Sequence, residues 1–323
     1  MENYNNTLPK VSILVPMYNA EAYVVETLDS CINQTYKNIE VIVVDDGSKD
    51  RSYQVALDYS EKHAQVKVFT QVNGGGCKAR NTAFSLSTGD YIMYLDADDI
   101  ISPDKVQAQI ELLMEEPYTT VATCKWDRFY DSLSDALFPV LIVYKDYNNG
   151  VDLIEDLLNG SMFGVTCYMV SRRLIEETGK WDENILVNQD GEFFVRVLLK
   201  AKKVLFANRG ALYYRSADKN SISRTRGSEK KGLSLLYSYK QEIRAITEAN
   251  AMCPRIKSGL TRMVQSVAYL YDHCPKVIAN AKRVAKDLGI SSMSSNIGGS
   301  LFRKGCRLIG FWNMLQLKNL LKL

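Results

Sequence analysis

Several features that would place a chain in a specialised class are missing here. No cysteine pair is spaced C-x-x-C, and Cys31, Cys77, Cys124, Cys167, Cys253, Cys274 and Cys306 are odd in number and far apart. That spacing argues against both a zinc knuckle and a disulfide framework and predicts reduced thiols, mostly in a core, in a cytoplasmic setting. No charged-then-apolar leader precedes Pro9, and no apolar run approaches the ~20 residues of a spanning helix, so neither secretion nor membrane insertion is expected. A dominant charge is missing too: Lys and Arg number 40 against 37 Asp and Glu, a net +3, and nucleic acid is not an expected partner. The balance is local, because no acidic residue follows Asp287 while Arg303, Lys304, Arg307, Lys318 and Lys322 are all basic.

What is present reads as a folded protein. The 323 residues are 46% hydrophobic and 24% charged, a globular composition long enough for one large or two modest domains. Val11–Val15 is a short β-rich run closed by Pro16, and Glu40–Val44 is a nearly continuous apolar run closed by Asp45-Asp46-Gly47-Ser48. Such runs predict strands buried on both faces. Between them, Ala20, Val24, Leu28, Cys31 and Ile32 recur at helical spacing. Further strands are expected at Val66–Phe69 and Tyr91–Leu95, each after a helical stretch, so the first third predicts βαβ units and a parallel sheet flanked by helices. From Thr120 the pattern is mixed, with a strand expected over Phe163–Val170 and helices over Arg172–Thr178 and Glu192–Ala201. After Ser216 the chain reads as helical. The expected division is 1–215, in halves 1–100 and 101–215, and 216–323, with soft boundaries because no linker is visible.

The strand ends carry acid. Asp45-Asp46 follows the second run and Asp96-Ala97-Asp98-Asp99 the fourth. In open parallel sheets ligands bind beyond the carboxyl ends of strands. Carboxylates spaced D-x-D there suit Mg²⁺ or Mn²⁺, which combine one or two carboxylates with phosphate oxygens. Taken alone the motif is weak, since acidic turns after strands are often solvated caps. Gly74-Gly75-Gly76 is no phosphate loop, lacking both G-x-G-x-x-G and G-K-[ST], and reads as a turn with φ > 0 leading into a helix over Lys78–Leu86.

The order of these elements is more specific than any one of them. Val15-Pro16-Met17-Tyr18-Asn19, then Asp45-Asp46-Gly47-Ser48 with Asp50, then Asn73-Gly74-Gly75-Gly76 with Ala79-Arg80-Asn81, then Gly89-Asp90-Tyr91-Ile92 and Asp96-Ala97-Asp98-Asp99 together resemble glycosyltransferase family 2, of the bacterial surface-polysaccharide type, over roughly residues 10 to 215. The resemblance implies a GT-A fold, α/β with a mainly parallel Rossmann-like sheet, and an inverting transferase that takes its sugar from a UDP-sugar. It implies that Asp46 accepts the uracil N3–H, that Pro16 and Tyr18 wall the base, that Arg80 lies near the nucleotide, that Asp96 faces the ribose and that Asp98 ligates the metal. Each has a structural alternative: a turn cap for Asp46, a helix-start ion pair for Arg80, core packing for Tyr18.

Gly179-Lys180-Trp181-Asp182-Glu183 and Asn188-Gln189-Asp190-Gly191-Glu192 resemble the family's acceptor side. The resemblance implies Asp190 as general base, with Trp181 and Asp182 bordering the acceptor. An inverting transfer needs a base close to the acceptor hydroxyl. The family usually has Glu-Asp where this chain has Gln189-Asp190, which removes a negative charge and lowers the expected pKa of the base. Asp190 equally suits a helix N-terminus, and Trp181 equally suits a core. Many members carry a histidine about where Ala217 stands. This chain has only His63 and His273, so Arg215, Lys219 or Arg224 is expected to neutralise the leaving diphosphate. The absent Q-x-x-R-W segment favours single addition over processive synthesis.

On one helical wheel Leu301, Phe302, Gly305, Leu308, Ile309, Trp312 and Leu315 share a side opposite Arg303, Lys304, Arg307 and Lys318. A basic amphipathic helix over residues 300–323 suits an anionic membrane surface, and equally a docked terminal helix. The reading that follows is a metal-assisted transfer of a hexose or N-acetylhexosamine from a UDP-sugar to a saccharide hydroxyl. The acceptor expected is a polyprenyl-linked glycan at the inner face of the membrane. A protein or teichoic-acid acceptor, a catalytically decayed binding protein and a homo-oligomer stay open. A nicotinamide-dependent oxidoreductase is disfavoured because no G-x-G-x-x-G follows the first strand.

Overall fold

A computed structural model describes residues 8–216, 228–290 and 295–321. The chain forms two compact units, residues 1–153, 162–183 and 200–218 in the first and 154–161, 184–199 and 219–323 in the second. The division therefore departs from a single cut at 215. Short segments before and after Trp181 join the helical unit because their partners, such as Ser234 and Ser238, lie there.

The first unit is built on an eight-stranded sheet. Its strands are β1 (Val11–Met17), β2 (Ile39–Asp45), β3 (Val66–Thr70), β4 (Tyr91–Tyr94), β5 (Ile100–Ile101), β6 (Thr120–Phe129), β7 (Met169–Ser171) and β8 (Lys203–Arg215), in the order β3-β2-β1-β4-β7-β6-β8-β5. The helices α1 (Val24–Ile32), α2 (Ser52–Ser60), α3 (Gly76–Leu86), α4 (Lys105–Leu113) and α6 (Arg172–Thr178) belong to this unit, and α5 (Gly150–Leu158) runs from it into the second.

β1, β2, β3 and β4 are parallel, as their apolar runs predict. Every residue of β2 is buried, which requires cover on both faces. β2 and β3 lie to one side of β1 and β4 to the other, so the order reverses between β1 and β4. In open α/β sheets such a reversal marks the edge, at the carboxyl ends of the strands, where ligands bind. The other half is mixed: β7 is antiparallel to both β4 and β6, and β6 is parallel to β8 with a register shift between Cys124 and Lys125. Of the strand expected over Phe163–Val170 only Met169 and Val170 are extended, as the start of β7, preceded by a 3-10 turn at Val165–Cys167. The Met162 carbonyl is taken by the Trp126 indole N–H at 2.9 Å, and a Cβ on Gly164 would sit 3.1 Å from Leu212, so the segment packs under the sheet instead of extending it.

The second unit holds α7 (Gln189–Lys200), α8 (Glu229–Glu248), α9 (Pro254–Leu270), α10 (Pro275–Asp287), α11 (Ser300–Ile309) and α12 (Phe311–Leu321). The single amphipathic helix expected over 300–323 is two helices, because Gly310 adopts φ +82° and ends α11. The expected apolar side divides with it. Of that side Phe302 and Leu315 are buried, Phe302 against Tyr269, whereas Leu301, Leu308 and Ile309 are exposed, and Cys306, Phe311 and Met314, which were not on it, are buried. Lys318 pairs with Asp272 rather than facing solvent with the other cations. All seven cysteines are free and six are buried. Among the described residues no helix is long and apolar enough to cross a membrane.

Candidate active site

Parallel register brings the predicted residues of the first unit to one edge. Pro16 lies opposite Val44 and Met17 opposite Asp45, while Leu14 lies opposite Tyr94. Tyr18, Asp46 and the Asp96–Asp99 turn therefore all leave the sheet at its carboxyl edge. Tyr18 is 49% exposed, which removes the core-packing alternative and leaves an aromatic face open beside half-buried Pro16.

The two adjacent aspartates have different surroundings. Asp45 accepts from the Thr70 hydroxyl at 3.1 Å and faces the Ser48 N–H, the position of a turn-forming carboxylate. Asp46 is buried and draws in the glycine run: its Oδ1 accepts from the Gln71 amide at 2.7 Å and the Gly74 N–H at 2.9 Å, and its Oδ2 from the Gly75 N–H at 2.7 Å. Gly75 has φ +90°, the left-handed conformation that aims these N–H groups at the carboxylate. A carboxylate has about four lone-pair sites, so three bonds leave one, on Oδ2, for a ligand N–H.

The Asp96–Asp99 turn is held from behind. The Thr27 hydroxyl lies 3.0 Å from the Ala97 carbonyl oxygen and 2.9 Å from that of Asp99. Arg215 donates its Nε to the Asp98 carbonyl at 2.7 Å and its backbone N–H to Asp99 Oδ1 at 2.9 Å, pairs with Glu26 and is flanked by the rings of Tyr23 and Phe129. Arg215 thus fixes the acidic turn and is not an open cation awaiting a diphosphate. Ala217, Lys219 and Arg224 lie outside the described residues. Asp99 is fully buried, and burial followed by the charges of Asp98 and Asp96 pushes its carboxyl well above the usual range. The Arg215 N–H and charge act against that rise, and Asp96 and Asp98 beside it are half-buried.

Arg80 is buried on α3. Its Nη2 donates to Asp96 Oδ1 at 2.8 Å and its guanidinium lies 4.7 Å from the centre of the Trp181 ring. Trp181 is only 2% exposed and meets Tyr94 edge-on at 5.0 Å, and its backbone N–H and carbonyl are both bonded by the Asn81 amide. Trp181 thus takes the core position that its residue type also suits, and its ring lies against the Arg80 guanidinium. Asp182, next in sequence, is half-buried. Asn81, which ties the Trp181 segment to α3, was legible only as part of the Ala79-Arg80-Asn81 segment.

Asp190 belongs to the second unit, in the first turn of α7, and is half-buried. Just before it, Asn188 adopts φ +62° and its amide donates to Glu242 at 2.6 Å and Ser238 at 3.1 Å on α8.

Among the described residues no cluster of three or more His, Cys, Asp or Glu could hold a metal by itself. A cation at this edge would need oxygens from a ligand beside the carboxylates of the acidic turn, which is how Mg²⁺ is commonly held with phosphate.

Residues 12–179, more than half of the chain, match the profile of glycosyl transferase family 2. The chain is 32% identical over 223 residues to the uncharacterized glycosyltransferase EpsJ of Bacillus subtilis, covering 67% of this chain and 63% of EpsJ. It is 33% identical over 227 residues to the glycosyltransferase GlyA of Streptococcus pneumoniae, covering 67% of this chain and 32% of GlyA. The chain thus spans less than two thirds of either relative. Its fold is similar to that of S. aureus TarS 1–349 in complex with UDP-GlcNAc, with a TM-score of 0.61 at 18% identity over 86% of this chain and 89% of that one. The profile match, joined to the GT-A architecture of the sheet and its acidic carboxyl edge, makes this chain a member of glycosyl transferase family 2.

Proposed function

We propose that the protein is an inverting glycosyltransferase that moves a hexose or N-acetylhexosamine from a UDP-sugar to a hydroxyl of a saccharide acceptor. The observation that carries this reading is the convergence of Tyr18, Asp46, the Arg80–Asp96 pair and Asp98 at the carboxyl edge of β1, β2 and β4. The UDP-GlcNAc complex of the structurally similar TarS supports a uridine donor.

In this reading Tyr18 and Pro16 wall the base, and Asp46 accepts the uracil N3–H on its remaining lone pair. Asp96, held by Arg80, faces the ribose. A divalent cation on Asp98 would neutralise charge on the donor diphosphate. Asp190 takes the proton from the acceptor hydroxyl, which strengthens the oxygen as a nucleophile as it attacks the anomeric carbon opposite the departing UDP. The acceptor in this reading is a lipid-linked glycan of cell-surface polysaccharide synthesis, met at the inner face of the membrane. The outward Leu301 and Leu308 beside Arg303, Lys304 and Arg307, in a stretch without acid, support that location.

A thermal-shift panel of UDP, UDP-glucose, UDP-galactose and their N-acetylated amino forms, with Mn²⁺ and with NAD as a control, tests the donor. Stabilisation by UDP and at least one UDP-sugar, with none by NAD, is expected. Stabilisation by NAD alone would overturn the reading.

A further inference from the structure

The chain before α7 makes an unusual turn. Asn188 is in the left-handed region at φ +62°, and its carbonyl accepts the Glu192 N–H at 3.3 Å, which begins the helix carrying Asp190. Its side chain folds back across the helix start, where a Cβ on Gly191 would stand 2.4 Å from Asn188 Oδ1. Only glycine leaves room for this path. The amide then reaches Glu242 at 2.6 Å and Ser238 at 3.1 Å, both fully buried on α8. The Ser234 hydroxyl on the same helix accepts the Leu186 N–H at 2.9 Å. Left-handed backbone at a non-glycine residue costs free energy and persists where surrounding bonds impose it.

We propose that Glu242 is a positioning residue for Asp190: by clamping the Asn188 side chain it fixes the turn from which the first turn of α7, and with it the Asp190 carboxylate, is presented. The inference rests on the reading of Asp190 as general base. It assigns a role to a buried acid of the helical unit that no motif marks.

The surroundings make Glu242 sensitive to pH. Burial, against the lowering effect of the Asn188 bond and with the charges of Glu192 and Asp190, pushes its carboxyl up to about 8. The groups facing it are Asp190 and Glu192 on α7, the latter carrying Arg196 at 2.6 and 2.9 Å, and Tyr239 on its own helix with Tyr271 beyond α9. The raised value favours the protonated form, in which Glu242 adds no charge beside Asp190 and Glu192. Ionisation of Glu242 places a negative charge beside these acids and loosens the turn.

Amide hydrogen–deuterium exchange of the segment 184–194 reads the clamp, and UDP release from the UDP-sugar panel with Mn²⁺ reads its consequence. Glu242→Leu is expected to speed exchange in that segment and lower kcat by about tenfold or more, with the donor KM held, as a misplaced catalytic group does. Glu242→Gln mimics the protonated acid and is expected to keep wild-type exchange and kcat at pH 7. Above pH 8 the wild type should lose protection relative to Glu242→Gln, and its kcat should fall while that of the variant does not. Wild-type exchange in Glu242→Leu, or identical pH profiles for wild type and Glu242→Gln, would overturn the clamp. Asp190→Asn assayed in parallel separates the two readings: if it retains turnover the base assignment fails, and if it is inactive while Glu242→Leu keeps full kcat only the positioning role fails.

Discussion

Glu40 offers a test of how the parallel half is held. Its buried carboxylate lies at the amino end of β2, opposite the candidate site along the strands, and four donors meet it. They are the Thr88 N–H at 2.6 Å, the Ser12 hydroxyl at 2.7 Å, the Lys10 ammonium at 2.9 Å and the Thr88 hydroxyl at 3.1 Å. One side chain thus joins β1, β2 and the approach to β4, the three strands whose opposite ends carry Tyr18, Asp46 and Asp98. Burial alone would raise the carboxyl, but these bonds outweigh it and lower its pKa from 4.5 to about 2. At about 1.4 kcal/mol per tenfold that is about 3 kcal/mol, or about 2 kcal/mol once solvent screening at the part-exposed Lys10 is allowed for. Because the folded value is depressed, the contribution is complete above pH 4.5 and is lost as the pH falls from there towards 2, with about 1.4 kcal/mol gone by pH 3.5. Glu40→Gln keeps the shape and removes the titration. In a Trp312→Phe background, Trp126 and Trp181 report on the first unit alone, so urea unfolding followed by fluorescence isolates it. The deficit of Glu40→Gln relative to Glu40 should shrink by about 1 kcal/mol or more between pH 7 and pH 3.5. A deficit that does not change with pH would show that these donors do not depress the Glu40 titration.

Two other perturbations follow from the same geometry. Trp181→Ala removes a ring 2% exposed and should cost the first unit about 3–5 kcal/mol in urea unfolding. It should also weaken UDP binding by freeing Arg80; unchanged stability would place the ring outside the core. Leu301→Ser with Leu308→Ser alters two outward leucines without touching buried Phe302 or Phe311. Co-sedimentation with vesicles rich in anionic lipid should drop severalfold at unchanged fold, since each buried leucine contributes about 1.5–3 kcal/mol to insertion, and unaltered co-sedimentation would exclude this face as the contact.

The parts of the fold that were legible are those where one local pattern had one solution. The run Val41–Val44 could be buried only as an interior strand, and the stop at Gly179 needed a residue tolerant of φ +88°. Trp181 was not decidable, because a large ring suits an open platform and a core equally, and only the position of Arg80 over its face separates them. The glycine run read correctly as a turn, yet its use in bonding Asp46 depends on backbone direction that composition does not carry. The tail misled for a related reason: a helical wheel assumes continuity, and Gly310 breaks it. Asp190 was visible from its neighbours, whereas the Glu242 contact that holds its turn lies 54 residues beyond Asn188 and leaves no periodic trace.

In the proposed transfer a UDP-sugar binds at the carboxyl edge of the sheet and Asp190 activates the acceptor. Calorimetric titration of UDP with Mn²⁺, paired with UDP-release assays on Asp190→Asn and Asp98→Ala, addresses it most directly. Asp190→Asn should bind UDP as the wild type does and have no turnover, while Asp98→Ala should lose the metal-dependent part of UDP binding. Wild-type turnover in Asp190→Asn, or metal-dependent UDP binding unaffected by Asp98→Ala, would contradict it.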